Sequence, residues 1–113
     1  MADVMYINIE DGSKRVMNNM KLYAKLLLKF KDDQNIKTIE SSLAANDLPN
    51  AQIATHTLKG LSANLSLTEL NKQVIELESQ IKAGSVNPAQ FETVKTVYSQ
   101  TMAELDKVIA QNA

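Results

Sequence analysis

The 113-residue chain contains no cysteine, one histidine, three glycines and two prolines, and only 4% of its residues are aromatic. Without cysteine there is no disulfide framework, no thiolate zinc site and no cysteine nucleophile. A single histidine cannot build a His-rich metal centre. Charge of one sign is not in excess either: 12 Lys and Arg stand against 13 Asp and Glu, a net charge of −1. A nucleic-acid binder would normally carry a basic surplus, so nucleic acid is not an expected partner. No apolar run approaches the ~18 residues that span a bilayer, so no direct membrane insertion is expected. The opening stretch, MADVMYINIEDG, lacks a basic segment followed by an apolar one, and the expectation is a cytoplasmic protein without a secretory signal. A chain of this size buries roughly 65% of its unfolded surface, enough for one core. We therefore expect one domain over residues 1–113.

Few turn formers and few β-branched clusters leave little room for a sheet, and the remaining pattern is helical. The first nine residues read as a short arm anchored by Ile7 and Ile9, followed by a short helix from about Glu10 to Met17. From about Asn19, Leu22, Tyr23, Leu26, Leu27 and Phe30 form one stripe at 3–4 spacing. Ile36, Ile39 and Leu43 keep that spacing on a face rotated by more than ~90°, so the polar run Lys31–Asn35 marks a break or kink. Asp47 is an N-cap candidate with Pro49 in the first turn, and Ala51, Ala54, Leu58, Leu61 and Leu65 follow on one face. Ser66-Leu-Thr-Glu69 has the form of a capping box, Leu67, Leu70, Val74, Leu77 and Ile81 line the next stripe, and Gly84 ends it. Asn87-Pro88-Ala-Gln90 opens the last helix in the same way, with Phe91, Val94, Tyr98, Met102, Leu105 and Ile109 inward. The expected fold is all-α: an antiparallel four-helix bundle with a short additional N-terminal helix. Met17, Met20 and Met102 are assigned to the core, Tyr23 and Phe30 likewise, and the row Lys21, Lys25, Lys29 to a solvated face.

The residue that asks for chemistry is His56. At about 100° per residue it falls opposite the Ala51–Leu65 stripe, so the only imidazole faces solvent from the middle of a helix. Gln52, Ile53, Lys59, Gly60 and Ala63 share or border its face. Gly60 costs the helix about 1 kcal/mol relative to Ala, and it removes bulk one turn from the ring. Lys59 adds a positive charge. This suits attachment of an anionic group to a nucleophilic imidazole, which in its free form has a pKa near ~6.5 and keeps one nitrogen open to attack at neutral pH. Gln52, Ile53 and Ala63 are the candidate partner contacts. The pairs Glu10-Asp11 and Asp32-Asp33 point in different directions along a helix and are not read as acid–base pairs.

The segment Ala54-Thr-His-Thr-Leu-Lys-Gly-Leu-Ser-Ala-Asn64 resembles the signature of histidine-containing phosphotransfer (HPt) domains, approximately A-H-x-L-K-G-x-x-x-x-x-G. The resemblance runs over nearly the whole chain: Asp11-Gly-Ser-Lys-Arg, Leu22-Tyr23 with Leu26-Leu27 and Phe30, the Asn46-Asp47 turn, Leu77-Glu78 and the Gly84 turn. Two positions depart from it. Thr55 stands where the family has Ala, and Ser66 where it often has Gly.

The resemblance implies a phosphorelay intermediate of two-component signal transduction. His56 would become phosphohistidine at Nε2, taking the group from a receiver-domain aspartate or from a histidine kinase and passing it to another receiver. Lys59 and Gly60 would support the phosphoryl group. The domain would be a carrier with no kinase activity and no cofactor of its own, with Mg²⁺ on the partner receiver, and it is expected to be monomeric. No G-x-x-x-x-G-K-[ST] loop occurs, in keeping with that. A receiver-binding scaffold that carries no phosphate is the alternative. A free-standing carrier and the terminal module of a hybrid sensor kinase both remain open.

Overall fold

The computed structural model describes residues 4–112 and is helical throughout its ordered elements. The helices are α1 (Ile9–Lys14), α2 (Met20–Phe30), α3 (Asn35–Ala44), α4 (Leu48–Asn64), α5 (Thr68–Lys82) and α6 (Pro88–Gln111). Consecutive helices α3, α4, α5 and α6 pack against one another, while α2 packs against α6 and α1 against α2. Short connections between packed neighbours make this an up-and-down bundle. The first of the four expected long helices is split, because the polar run 31–34 satisfies its own backbone. The amides of Lys31, Asp32 and Asp33 each turn back three residues, and the Asp33 carboxylate accepts from the Asn35 amide at 3.0 Å. The expected break therefore separates α2 from α3, and each turns its own apolar face inward.

The core gathers Tyr23, Leu27 and Phe30 of α2, Ile39 of α3, Ala51, Ala54 and Leu58 of α4, and the expected face of α5. On α6 the buried line is Phe91, Val94, Val97, Thr101, Leu105 and Val108: Phe91, Val94 and Leu105 lie inward as expected, while Val97, Thr101 and Val108 stand where Tyr98, Met102 and Ile109 were expected, and those three lie half-buried along its edge. Three other expected core positions are corrected. Met17 is 91% exposed, because it adopts a positive φ of 57° in the turn after α1. Leu22 and Ile9 are exposed as well, each lying in the first turn of its helix on the outer side. Ile7 does pack on the core. No helix among the described residues is long and apolar enough to cross a membrane.

Caps explain the boundaries. Asn19, Asp47 and Asn87 each accept from an amide in the first turn of α2, α4 and α6. Gly84 ends α5 with φ +73°, as expected. Ser66 does something other than cap α5. Its φ is +58°, the left-handed position that closes α4: its amide reaches Ala63 O at 3.2 Å and the Leu67 amide reaches Ser62 O at 2.9 Å. Its hydroxyl donates to Asp11 Oδ2 at 2.5 Å and accepts from no α5 amide, and the α5 N-cap is Leu67, without a side-chain bond. Ser66 thus takes the conformation that glycine usually serves. The second expected box is half formed. Asn87 caps, but Gln90 donates across to Gln73, and it is Gln80 of α5 that accepts from the Asn87 amide at 2.9 Å.

Candidate functional site

The middle of α4 is built so that one side is buried and the other open. Thr55 is fully buried, and its hydroxyl is satisfied by donation to Ala51 O at 2.6 Å. A threonine therefore replaces the expected alanine without orphaning a polar atom. Asn71 of α5 donates to Lys59 O at 3.0 Å and to Ser62 Oγ at 3.2 Å, pinning α4 to α5 one turn beyond His56. This registers the two helices and brings Glu78 of α5 under the imidazole.

His56 lies on the outer side, with its side chain 68% exposed, as the helical rotation requires. Its Nδ1 is 3.0 Å from Glu78 Oε2. The Glu78 side chain is only 5% exposed, and its other oxygen, Oε1, accepts from Lys59 Nζ at 2.5 Å and lies 3.8 Å from Lys82 Nζ. Burial alone would raise the Glu78 carboxyl. The hydrogen bonds from Lys59 and His56 and the charges of Lys59 and Lys82 outweigh it, and the carboxyl sits below its ordinary value. An ionised carboxylate has no proton to give, so the hydrogen in this bond belongs to Nδ1. In the neutral ring this partner assigns the tautomer, with the hydrogen on Nδ1 and the lone pair on Nε2.

Gly60 is exposed, and a Cβ built on it would meet nothing within 4 Å. No packing demand explains this glycine, and its place one turn from the ring leaves the approach to the imidazole clear. Ile53 is 65% exposed, Ala63 is exposed and Gln52 half-buried, all on the His56 side of α4. Lys59 is brought to the site, but its ammonium is bound to Glu78 rather than standing free. Glu78 itself was not singled out by reasoning on α4 alone, because its signal lies in the neighbouring helix: a carboxylate directly after Leu77 on an otherwise apolar stripe. Lys21, Lys25 and Lys29 are exposed on α2. Tyr23 and Phe30 belong to the core.

Fold and site together define a helical bundle that displays one oriented imidazole. The Hpt domain family matches residues 27–110, well over half of the chain, and the chain belongs to that family. Its place is therefore phosphotransfer in two-component signalling, where Hpt domains act as phosphocarriers that meet receiver domains and kinases. Comparison with curated proteins and with solved structures gave no significant match.

Proposed function

We propose that the whole chain acts as one phosphorelay domain and that His56 is its phosphoacceptor. Nε2 attacks the phosphorus of an acyl phosphate on a receiver aspartate, or of a phosphodonor on a kinase. The new P–N bond takes the Nε2 lone pair. With a receiver as donor the P–O bond breaks and its electron pair stays on the departing aspartate carboxylate, and with a kinase as donor the pair of the broken bond to phosphorus stays on the kinase group that held it. The ring carries a positive charge after transfer, since Nδ1 keeps its hydrogen, and the Glu78 carboxylate at 3.0 Å offsets that charge. Reversal onto a second receiver aspartate returns a neutral imidazole, a good leaving group. Phosphoryl transfer asks for in-line positioning and charge neutralisation rather than elaborate covalent machinery. On this reading the carrier supplies the oriented nucleophile and the clearance at Gly60, Lys59 turns to the phosphoryl oxygens, and the receiver brings its aspartate and Mg²⁺. Gln52, Ile53 and Ala63 form the surface that meets the receiver.

The observation that carries this reading is the exposed imidazole whose Nδ1 is held by a buried, ionised carboxylate. The test is incubation with a phosphorylated receiver domain followed by mass measurement of this chain. The wild-type chain gains one phosphoryl group, lost in acid and kept in alkali as a P–N bond requires, and His56→Gln gains none while staying folded. Labelling of His56→Gln would show that the acceptor is another residue.

A further inference from the structure

Glu78 faces three cationic or proton-donating groups but has two oxygens. Oε2 is taken by the imidazole, and Oε1 is shared by Lys59 at 2.5 Å and Lys82 at 3.8 Å. Lys59 is three residues after His56 and one turn along the same face, so a dianionic phosphoryl group on Nε2 competes with Glu78 for its ammonium. If Lys59 left alone, a carboxylate that is 5% exposed would lose its nearest counter-charge, which is costly in a buried position. Lys82 is four residues after Glu78 on α5, its side chain is 54% exposed, and its ammonium already lies beside the same oxygen that Lys59 holds. A small rotation of its stem completes the contact.

Resting on the acceptor reading of His56, we propose that Lys82 is a positioning residue: it takes over Glu78 Oε1 when Lys59 turns to the phosphoryl group, and so releases Lys59 for that task. Lys82 touches neither the ring nor the phosphoryl group. It acts by keeping Glu78 paired while the nearer lysine changes partner. The two lysines are thus unequal by design of the helices. Lys59 is on the helix of the nucleophile, one turn from His56, whereas Lys82 is on the helix of the carboxylate, one turn from Glu78.

The experiment is a double-mutant cycle with phosphoramidate as the phosphodonor, which needs no partner protein and releases ammonia as the P–N bond to His56 forms. The rate of phosphorylation is measured by mass for the wild type, Lys82→Met, Lys82→Arg, Lys59→Met and the Lys59→Met/Lys82→Met double variant, alongside thermal unfolding of each. Lys82→Met keeps the length of the stem and removes the charge. It is expected to slow phosphorylation about fivefold, the order expected for loss of one partly exposed ion pair. Lys82→Arg restores the rate. In the Lys59→Met background the same Lys82→Met change has less than about a twofold effect, because there is no longer a lysine to release. A wild-type rate for Lys82→Met overturns the proposal. So does a fivefold loss that persists without Lys59, which would mark a simple field effect of the Lys82 charge. His56→Gln serves as the separate control. Its labelling at the wild-type rate would remove the acceptor reading itself, a failure that leaves a different signature from either Lys82 result.

Discussion

At the scale of single residues, the site depends on a division between what α4 shows and what α5 supplies. His56 and Gly60 were legible in the sequence, since helical rotation alone puts them on the open face and the structure leaves a Cβ at position 60 without a neighbour. Gly60→Ala is accordingly expected to stabilise the helix by up to ~1 kcal/mol in thermal unfolding. Gly60→Leu is expected to keep the fold while transfer from a receiver falls about 100-fold, the order of loss when reacting atoms are held ~1 Å off line. An unfolded Gly60→Leu would mean that the glycine is packed, and a wild-type transfer rate would mean that clearance is irrelevant. The partner of Lys59 was not legible, because a lysine beside a histidine does not reveal which anion it meets when a carboxylate on another helix is buried nearby. The expected role of Glu78 can be separated from mere polarity. Glu78→Gln retains an acceptor for Nδ1 and loses the charge, and about a tenfold slower transfer is expected, whereas Glu78→Leu loses both and is expected to fall further. Equal rates in Glu78→Leu and wild type would exclude any part for this residue.

At the scale of elements, the helices themselves were readable from spacing, while their ends were not always so. The split between α2 and α3 followed from two apolar stripes on different faces. The turn after α4 did not follow from Ser66-Leu-Thr-Glu69, because the same letters serve a capping box and a left-handed helix end, and the Asp11 carboxylate decides between them by accepting the Ser66 hydroxyl. The N-terminal arm is bound to this turn a second time, through the Asn8 amide to Ser66 O at 2.9 Å, and Tyr23 Oη donates to Leu65 O at 2.6 Å. Ser66→Gly relieves the positive φ and loses the hydroxyl bond, opposing effects of about 1 kcal/mol each, so its stability should lie near that of the wild type. Ser66→Ala loses the bond and keeps the strained backbone, and it should be about 1 kcal/mol less stable by denaturant unfolding. Gly12 is the other special position of this region: a Cβ there would lie 2.4 Å from Tyr23 Cζ and Oη. Since that ring is buried and hydrogen-bonded, Gly12→Ala is expected to destabilise by about 1–3 kcal/mol. Unchanged stability would show that the ring yields without loss.

At the scale of the whole molecule, titration of the native interactions makes stability depend on pH. Asp11 and Glu78 both sit below their ordinary values of 3.8 and 4.5, Asp11 chiefly through the Ser66 hydroxyl and Arg15, and Glu78 through the Lys59 and His56 bonds that outweigh its burial. The folded state therefore keeps both ionised where the unfolded chain takes up protons. Their contribution is complete above those values and is lost as pH falls through and below them. Tyr23 moves the other way: burial raises it to about 12 from 10.0, so its contribution is full below pH 10 and is lost as pH rises towards 12. Thermal unfolding across pH should show both limbs, and Tyr23→Phe should flatten the alkaline one. The bundle as a whole was legible because amphipathic period and short connections leave few ways to bury five stripes. The coupling of its helices at the site was not, because it rests on Asn71 and Glu78 reaching α4 from α5, and no spacing within one helix encodes that. The central claim is that the imidazole is oriented through Nδ1 for reaction at Nε2. It is tested most directly by ¹⁵N and ³¹P magnetic resonance on the chain labelled in its one histidine and phosphorylated. The expected spectrum has phosphorus coupled to Nε2 and a hydrogen on Nδ1 before transfer. Phosphorus on Nδ1, or a resting ring with its hydrogen on Nε2, would contradict it.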